Sequence, residues 1–268
     1  MLFKKKSAQR VYLDWAAATP LLPTAKKAMD PYLAEHFGNP SAIHAEGQTC
    51  RNAVEDARAT VATAVQVRPE FITFTSGGTE GNNLAIFGVV ESLAAAGRLY
   101  ESMTVITTKI EHPSVGEACA ALTRRGVVVR YVEVTETGKV NLEQFRTLLD
   151  ESVVLLSTAL INSEIGTIQP ARAIHKVLHN AEQKYGIQIM LHLDAAQAPL
   201  WVNCRFDSLS ADFVTLDAAK CCGPKGVGVL VRSRRVDIVA VVHGGGQESG
   251  LRPGTENVAG IVGAAVAI

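Results

Sequence analysis

What this chain lacks narrows the field before any motif is read. It has no excess of either charge, with Lys and Arg totalling 26 and Asp and Glu also 26. A balanced surface builds no global field for nucleic acid or an anionic membrane, so any ligand has to be recognised locally. No uninterrupted apolar run reaches membrane-spanning length; the nearest, residues 258–268, is short and broken by glycine. The basic opening MLFKKKSAQR is not followed by the apolar stretch of a secretion signal. Five cysteines in 268 residues make no disulfide framework, and no Cys-x-x-Cys pair offers the spacing of a zinc site. Together these absences point to a cytoplasmic enzyme with reduced thiols. Internal repeats, low-complexity tracts and obvious linkers are missing too.

What is present is material for a core. The chain is 47% hydrophobic and 19% charged, the balance of a soluble globular protein built as one large α/β domain or two small ones. Near-continuous apolar runs predict strands at 71–75, 103–108, 127–134, 153–161, 187–193, 213–216 and 227–231. Helical spacing predicts helices at 79–96, 114–125, 142–151 and 171–185, with a long amphipathic one over 43–65 after the turn GNPS. That alternation predicts an α/β fold, a mostly parallel seven-stranded sheet sandwiched by helices. The chain closes on IVGAAVAI with neither a polar tail nor a helix C-cap. Such an ending suggests an apolar segment whose packing partner has been cut away, as in a shortened form of a longer ancestor.

Ligands of an open α/β sheet sit at the carboxyl ends of its strands, and three loops expected there are chemically loaded. TSGGTEGNN follows a strand and opens a helix: Gly77 and Gly78 permit close backbone approach and Thr79 adds a hydroxyl. The loop suits a phosphate, or a structural glycine turn with a threonine cap; it lacks the Gly-Lys-Ser/Thr ending of a Walker A loop. In LHLDAAQ, Asp194 ends an apolar strand, where a carboxylate needs a cationic partner or a local cap. His192 shares its strand face, but no third ligand stands at a persuasive spacing for a metal. TLDAAKCCGPKG places Lys220 just past another strand. A lysine held out of water becomes a nucleophile toward aldehydes. A phosphate cradle, a buried carboxylate and a strand-end lysine together specify pyridoxal 5′-phosphate: the carboxylate stabilises a protonated ring nitrogen and the lysine holds the aldehyde.

At these residues the chain resembles a cysteine desulfurase of the class V aminotransferase group. The resemblance runs from VYLDWAAATP through FGNPSAIH, FTSGGTEGNNLAI, EHPSV, INSEIGTIQP, HLDAAQ and GPKGVGVL to HGGGQESGLRPGTENV. It implies the large-domain fold of aspartate aminotransferase-like enzymes (fold-type I), with an N-terminal segment (1–22) packing near the active site and a cofactor-binding large domain (23–268). It also implies roles. Lys220 would bond the cofactor and Asp194 would pair with the ring nitrogen. Gln197 would touch the phenolic oxygen, and Ser163 would stand where the family usually has a ring-contacting Asn. His112 would stack on the ring and move protons. Gly78 and Thr79 would hold the phosphate, and Thr255 would reach the phosphate of a neighbouring subunit in a homodimer. Without the resemblance, His112 is a surface or helix-start histidine, and Lys220 and Lys225 cannot be told apart.

The activity implied is conversion of L-cysteine to L-alanine, with sulfur leaving as a persulfide for a sulfur-acceptor or iron–sulfur scaffold protein. Three departures qualify it. Asp217, Ala218 and Ala219 stand where the family has residues that help bind phosphate, so Asp217 must be screened, protonated or turned away, or else pair with Lys225 or Arg252 or orient Lys220. Ser163 is the second. The third is that the small domain, with its catalytic cysteine loop and substrate-carboxylate arginine, is absent; Cys221 and Cys222 are expected to be buried thiols rather than replacements. The alternatives are a non-catalytic protein of this fold acting through dimerisation, or another class V enzyme such as selenocysteine lyase. A hydrolase is disfavoured, because HGGG (243–246) has no Gly-x-Ser-x-Gly partner.

Overall fold

The computed structural model describes residues 10–268; the basic opening stretch, residues 1–9, lies outside the described residues. Seven strands form one sheet: β1 (Ile72–Thr75), β2 (Thr104–Thr107), β3 (Val128–Tyr131), β4 (Val153–Ala159), β5 (Met190–Asp194), β6 (Phe213–Asp217) and β7 (Gly228–Arg232). Their order is β1-β7-β6-β5-β4-β2-β3. β6, β5, β4, β2 and β3 run parallel, and β7 lies antiparallel between β6 and β1. The helices are α1 (Pro23–Met29), α2 (Pro31–Ala34), α3 (Ala45–Val65), α4 (Gly78–Ala95), α5 (Pro113–Thr123), α6 (Leu142–Thr147), α7 (Ala171–Tyr185), α8 (Phe206–Leu209) and α9 (Val258–Ala267). Among the described residues, no helix is long and apolar enough to cross a membrane.

The continuous apolar strands are explained by two cores, one on each face. Neighbours in β4 part company: Leu155 joins Ile86 and Leu122 from α4 and α5, while Leu156 joins Val61, Ile174 and Ile261 from α3, α7 and α9. A strand covered on both sides cannot alternate apolar with polar residues. β3 sits at the sheet edge, and there Val128 and Tyr131 are exposed. It is shorter than its apolar run predicts. α6 also ends early, at Thr147, where Asp150 turns the chain by accepting from the Ser152 N–H at 2.9 Å.

The closing apolar segment is not unpartnered. α9 packs on α1 and α3, burying Val258, Ile261 and Ala264. A Cβ at Gly263 would lie 2.5 Å from the Met29 sulfur, so the glycine leaves room for the Met29 side chain of α1 against this helix.

Candidate active site

The carboxyl ends of β4, β5 and β6, the start of α4 and the loop before α5 enclose a cavity of about 520 Å³. Asp194, the last residue of β5, is buried. Its Oδ1 accepts from the Ala196 N–H at 3.0 Å and its Oδ2 from Asn82 Nδ2 at 2.7 Å. Burial pushes its carboxyl upward, against those donors and the nearby His112, and Asp217 adds to the upward push. Asn82 Nδ2 also donates to Ser114 Oγ at 2.8 Å, and Ser114 Oγ lies 2.8 Å from His112 Nδ1. The Ser114 N–H donates to the same His112 nitrogen at 3.1 Å. That network assigns Nδ1 as the acceptor, so a ring proton sits on Nε2. His112 is thus both a helix-start residue, capping α5, and a residue of the cavity wall.

Lys220 follows β6 in a short 3-10 turn, residues 218–220, and is half-buried. Its Nζ donates to the carbonyl oxygens of Ala16 (2.9 Å) and Ala17 (2.6 Å), and Gln197 Nε2 also donates to Ala16 O at 2.7 Å. The segment before α1 therefore straps the amine in place. Lys225 is exposed and lines no part of the cavity, which separates the two lysines. Gly78, Thr79 and Ser163 line the cavity; Thr255 lies exposed on the loop before α9 and does not line it.

Asp217 and Arg252 do not meet. Arg252 Nε donates to Glu80 at 3.1 Å, while Asp217 accepts from the Gly78 N–H (3.2 Å) and the Ala219 N–H (2.9 Å). Burial pushes the Cys221 thiol up to about 12, with Asp217 adding to it, so it is inert at neutral pH. Cys222 is buried beside it. His192 is a core residue rather than a ligand: it is bonded to Ser157 Oγ (2.8 Å) and Thr215 Oγ1 (3.0 Å), and burial pushes it down to about 3.

The ring end of this cavity fits a protonated pyridine aldehyde. Asn82 Oδ1 is buried without a partner among the described residues, beside the Asp194 carboxylate. A buried carboxylate on the cavity wall calls for a donor, and a ring N–H supplies it. The phosphate end fits less well, because Asp217 already occupies a helix N-terminal N–H.

Asn82, Ser114 and Glu111 are residues that motif reasoning missed. Asn82 stands four residues after Gly78, on the same face of α4, and that spacing was the available signal. Glu111 accepts from Thr108 Oγ1 (2.6 Å), Thr158 Oγ1 (3.0 Å) and the Ala159 N–H (2.6 Å), fastening the end of β4 to the loop before α5. Enclosure pushes its carboxyl up to about 7, against the pull of those donors, with Asp194 pushing the same way. A folded value above the free value of 4.5 means the unfolded chain releases this proton first. Stability from Glu111 is then complete below pH 4.5 and is lost as the pH rises through 7, about 3 kcal/mol in all. Glu111→Gln, with its amide donating to both threonines and accepting from Ala159, is expected to flatten that slope. Denaturant unfolding at pH 5 and pH 8 checks this; equal slopes in both proteins count against it.

Comparison with known proteins places the chain in a family. The profile described as aminotransferase class-V matches residues 11–268. The chain belongs to that family, whose members use pyridoxal phosphate. It is 40% identical over 260 residues to the cysteine desulfurase IscS of Dictyoglomus turgidum, covering 97% of this chain and 63% of that protein. The IscS of Dechloromonas aromatica is 38% identical over 256 residues, 94% of this chain and 61% of that protein. The chain thus spans less than two thirds of the length of these curated relatives. Among solved structures, a NifS-like protein superposes with a TM-score of 0.89 at 38% identity, over 97% of this chain and 69% of that one. SspA in complex with cysteine superposes at 0.87 and 35% identity, over 96% of this chain and 72% of that one. These neighbours agree with the seven-stranded, mostly parallel sheet between helices.

Proposed function

We propose that this chain is the cofactor-holding large domain (23–268) of a cysteine desulfurase-type protein, acting on L-cysteine as a homodimer, with an N-terminal segment, described from residue 10 to 22, packing near the site. The observation that carries the reading is the convergence of Lys220, Asp194 and His112 on one cavity wall. Pyridoxal phosphate, when bound, supplies an aldehyde for an amine and a ring that draws electrons from the attached carbon. Asp194, held in place by Asn82, would keep a proton on the ring nitrogen. His112, oriented through Ser114, would stack on the cofactor ring and move protons. Lys220, whose Nζ donates to the Ala16 and Ala17 carbonyls, would supply the amine that holds the cofactor, and Gln197 and Ser163 would contact its ring. Thr79 and the first N–H groups of α4 hold the cofactor tail, with Thr255 serving a partner subunit. Sulfur would pass to an acceptor or iron–sulfur scaffold protein. Five free cysteines support a cytoplasmic setting.

Purified protein given pyridoxal phosphate is expected to develop a visible absorption band that Lys220→Ala abolishes. A wild type that stays colourless with pyridoxal phosphate and with pyridoxal alike overturns the cofactor reading. Sulfide and alanine release from cysteine, with cofactor and reductant present, is expected to be slow at most from this chain, which spans 63% of its relative's length; robust release overturns the assignment of the sulfur-transfer step to a cysteine loop outside it.

A further inference from the structure

The phosphate end of the cavity contains an anion of the protein's own. α4 is 18 residues long and opens at Gly78, so its N-terminus concentrates unpaired N–H groups and the positive end of the helix dipole. Asp217 reaches across from the end of β6, 139 residues away in sequence, and its Oδ2 accepts from the Gly78 N–H at 3.2 Å. Its Oδ1 accepts from the Ala219 N–H at 2.9 Å, so the carboxylate is clamped between the helix and its own turn. The approach is tight: a Cβ at Gly78 would stand 3.3 Å from Asp217 Oδ2. The other carboxylate at this terminus, Glu80, is countered by Arg252 at 3.1 Å, whereas both Asp217 oxygens go to backbone N–H groups. A carboxylate in this position meets the same donors that a ligand anion would seek. Elsewhere on the cavity wall, the buried Asp194 carboxylate, held by Asn82 Nδ2 at 2.7 Å, still calls for a ring N–H.

We propose that Asp217 is a specificity-determining residue that fills the anion position at the α4 N-terminus, turning the cavity toward a pyridine aldehyde with an uncharged tail, pyridoxal in preference to its phosphate ester. The inference rests on the reading of the cavity as a pyridoxal-type site. It adds that the ring, not the phosphate, carries recognition in this chain. A phosphate brought to Gly78 and Thr79 meets a like charge and finds one of its donors taken, two penalties that an alcohol tail avoids.

The test titrates wild type, Asp217→Asn and Asp217→Ser with pyridoxal phosphate and with pyridoxal, reading dissociation constants from the visible band and from tryptophan fluorescence. The ratio of the two constants is the readout, because the solution chemistry of free pyridoxal cancels between proteins. Removing the charge is expected to move that ratio about ten- to hundredfold toward the phosphate ester, the range set by one charge-assisted hydrogen bond. Asp217→Asn keeps an acceptor for Ala219, so a folded variant is available if the serine one proves unstable; melting curves identify it. Ratios that agree within about threefold across all three proteins overturn the proposal and leave the cofactor site standing. Absence of a Lys220-dependent band with either ligand in every protein overturns both.

Discussion

Glu248→Ala is expected to destabilise the chain by about 3–5 kcal/mol, the largest single effect that the structure implies. The Glu248 side chain is 1% exposed and takes both ends of the Arg58 guanidinium, Nη1 at 2.7 Å and Nη2 at 2.8 Å. It also accepts from the Phe74 N–H in β1 at 2.8 Å. Burial works against the charge on Arg58, and the paired carboxylate outweighs it. Removing Glu248 leaves a guanidinium that is 11% exposed with only the exposed Glu55, at 3.2 Å, as counter-charge, and a buried strand N–H without an acceptor. The cost is that of the orphaned groups rather than the net worth of the pair. The melting temperature should fall by on the order of 10 °C. The double variant Arg58→Met/Glu248→Met, which strands no charge, should melt above the single one. A drop below about 3 °C in Glu248→Ala contradicts the argument.

Gly228→Ala is expected to damage both the fold and the site. The first residue of β7 passes so close to the turn before α4 that a Cβ there would lie 2.5 Å from the Gly77 carbonyl carbon and 2.7 Å from its oxygen. Those are backbone atoms and cannot rotate aside. Gly77 itself has φ 151 and ψ 179, a conformation essentially confined to glycine, so the turn has no easy alternative. Displacing it moves Gly78 and Thr79, the tail end of the cavity, away from Asp217. We expect a loss of about 2–3 kcal/mol in stability. Ligand affinity should weaken by about tenfold or more, measured by the same visible-band titration. Wild-type melting and binding in Gly228→Ala would show that the strand yields instead.

Most of the strand and helix positions were legible, because they rest on local periodicity. The runs in β4 and β6 carried the sheet, and 171–185 predicts α7 to the residue. Legibility failed where a side chain or an edge intervened. Asp150 stops α6 by bonding Ser152, and β3 shortens at the open edge where no second neighbour holds it. The segment 258–268 read as unpartnered because α1, the helix that meets it, is a seven-residue element with little periodic signal. Within the cavity, Lys220, Asp194 and the glycine turn stood out because each is chemically conspicuous beside an apolar run. Asn82 and Ser114 did not, since polar residues at a helix start are ordinary until their partners are known.

Sequence by itself determined the two-sided apolar strands, their α/β alternation and the ordered set of loops at the carboxyl edge, because burial and backbone preference act over a few neighbouring residues. Tertiary structure alone decided which partners those loops meet. Asp217 had several possible cations within reach of the argument, Lys225 and Arg252 among them. Folding gave Arg252 to Glu80 and put Asp217 on the Gly78 N–H, 139 residues upstream. A carboxylate binds whatever donor the crossing of β6 and α4 brings within about 3 Å, and that crossing is set by the packing of the whole sheet.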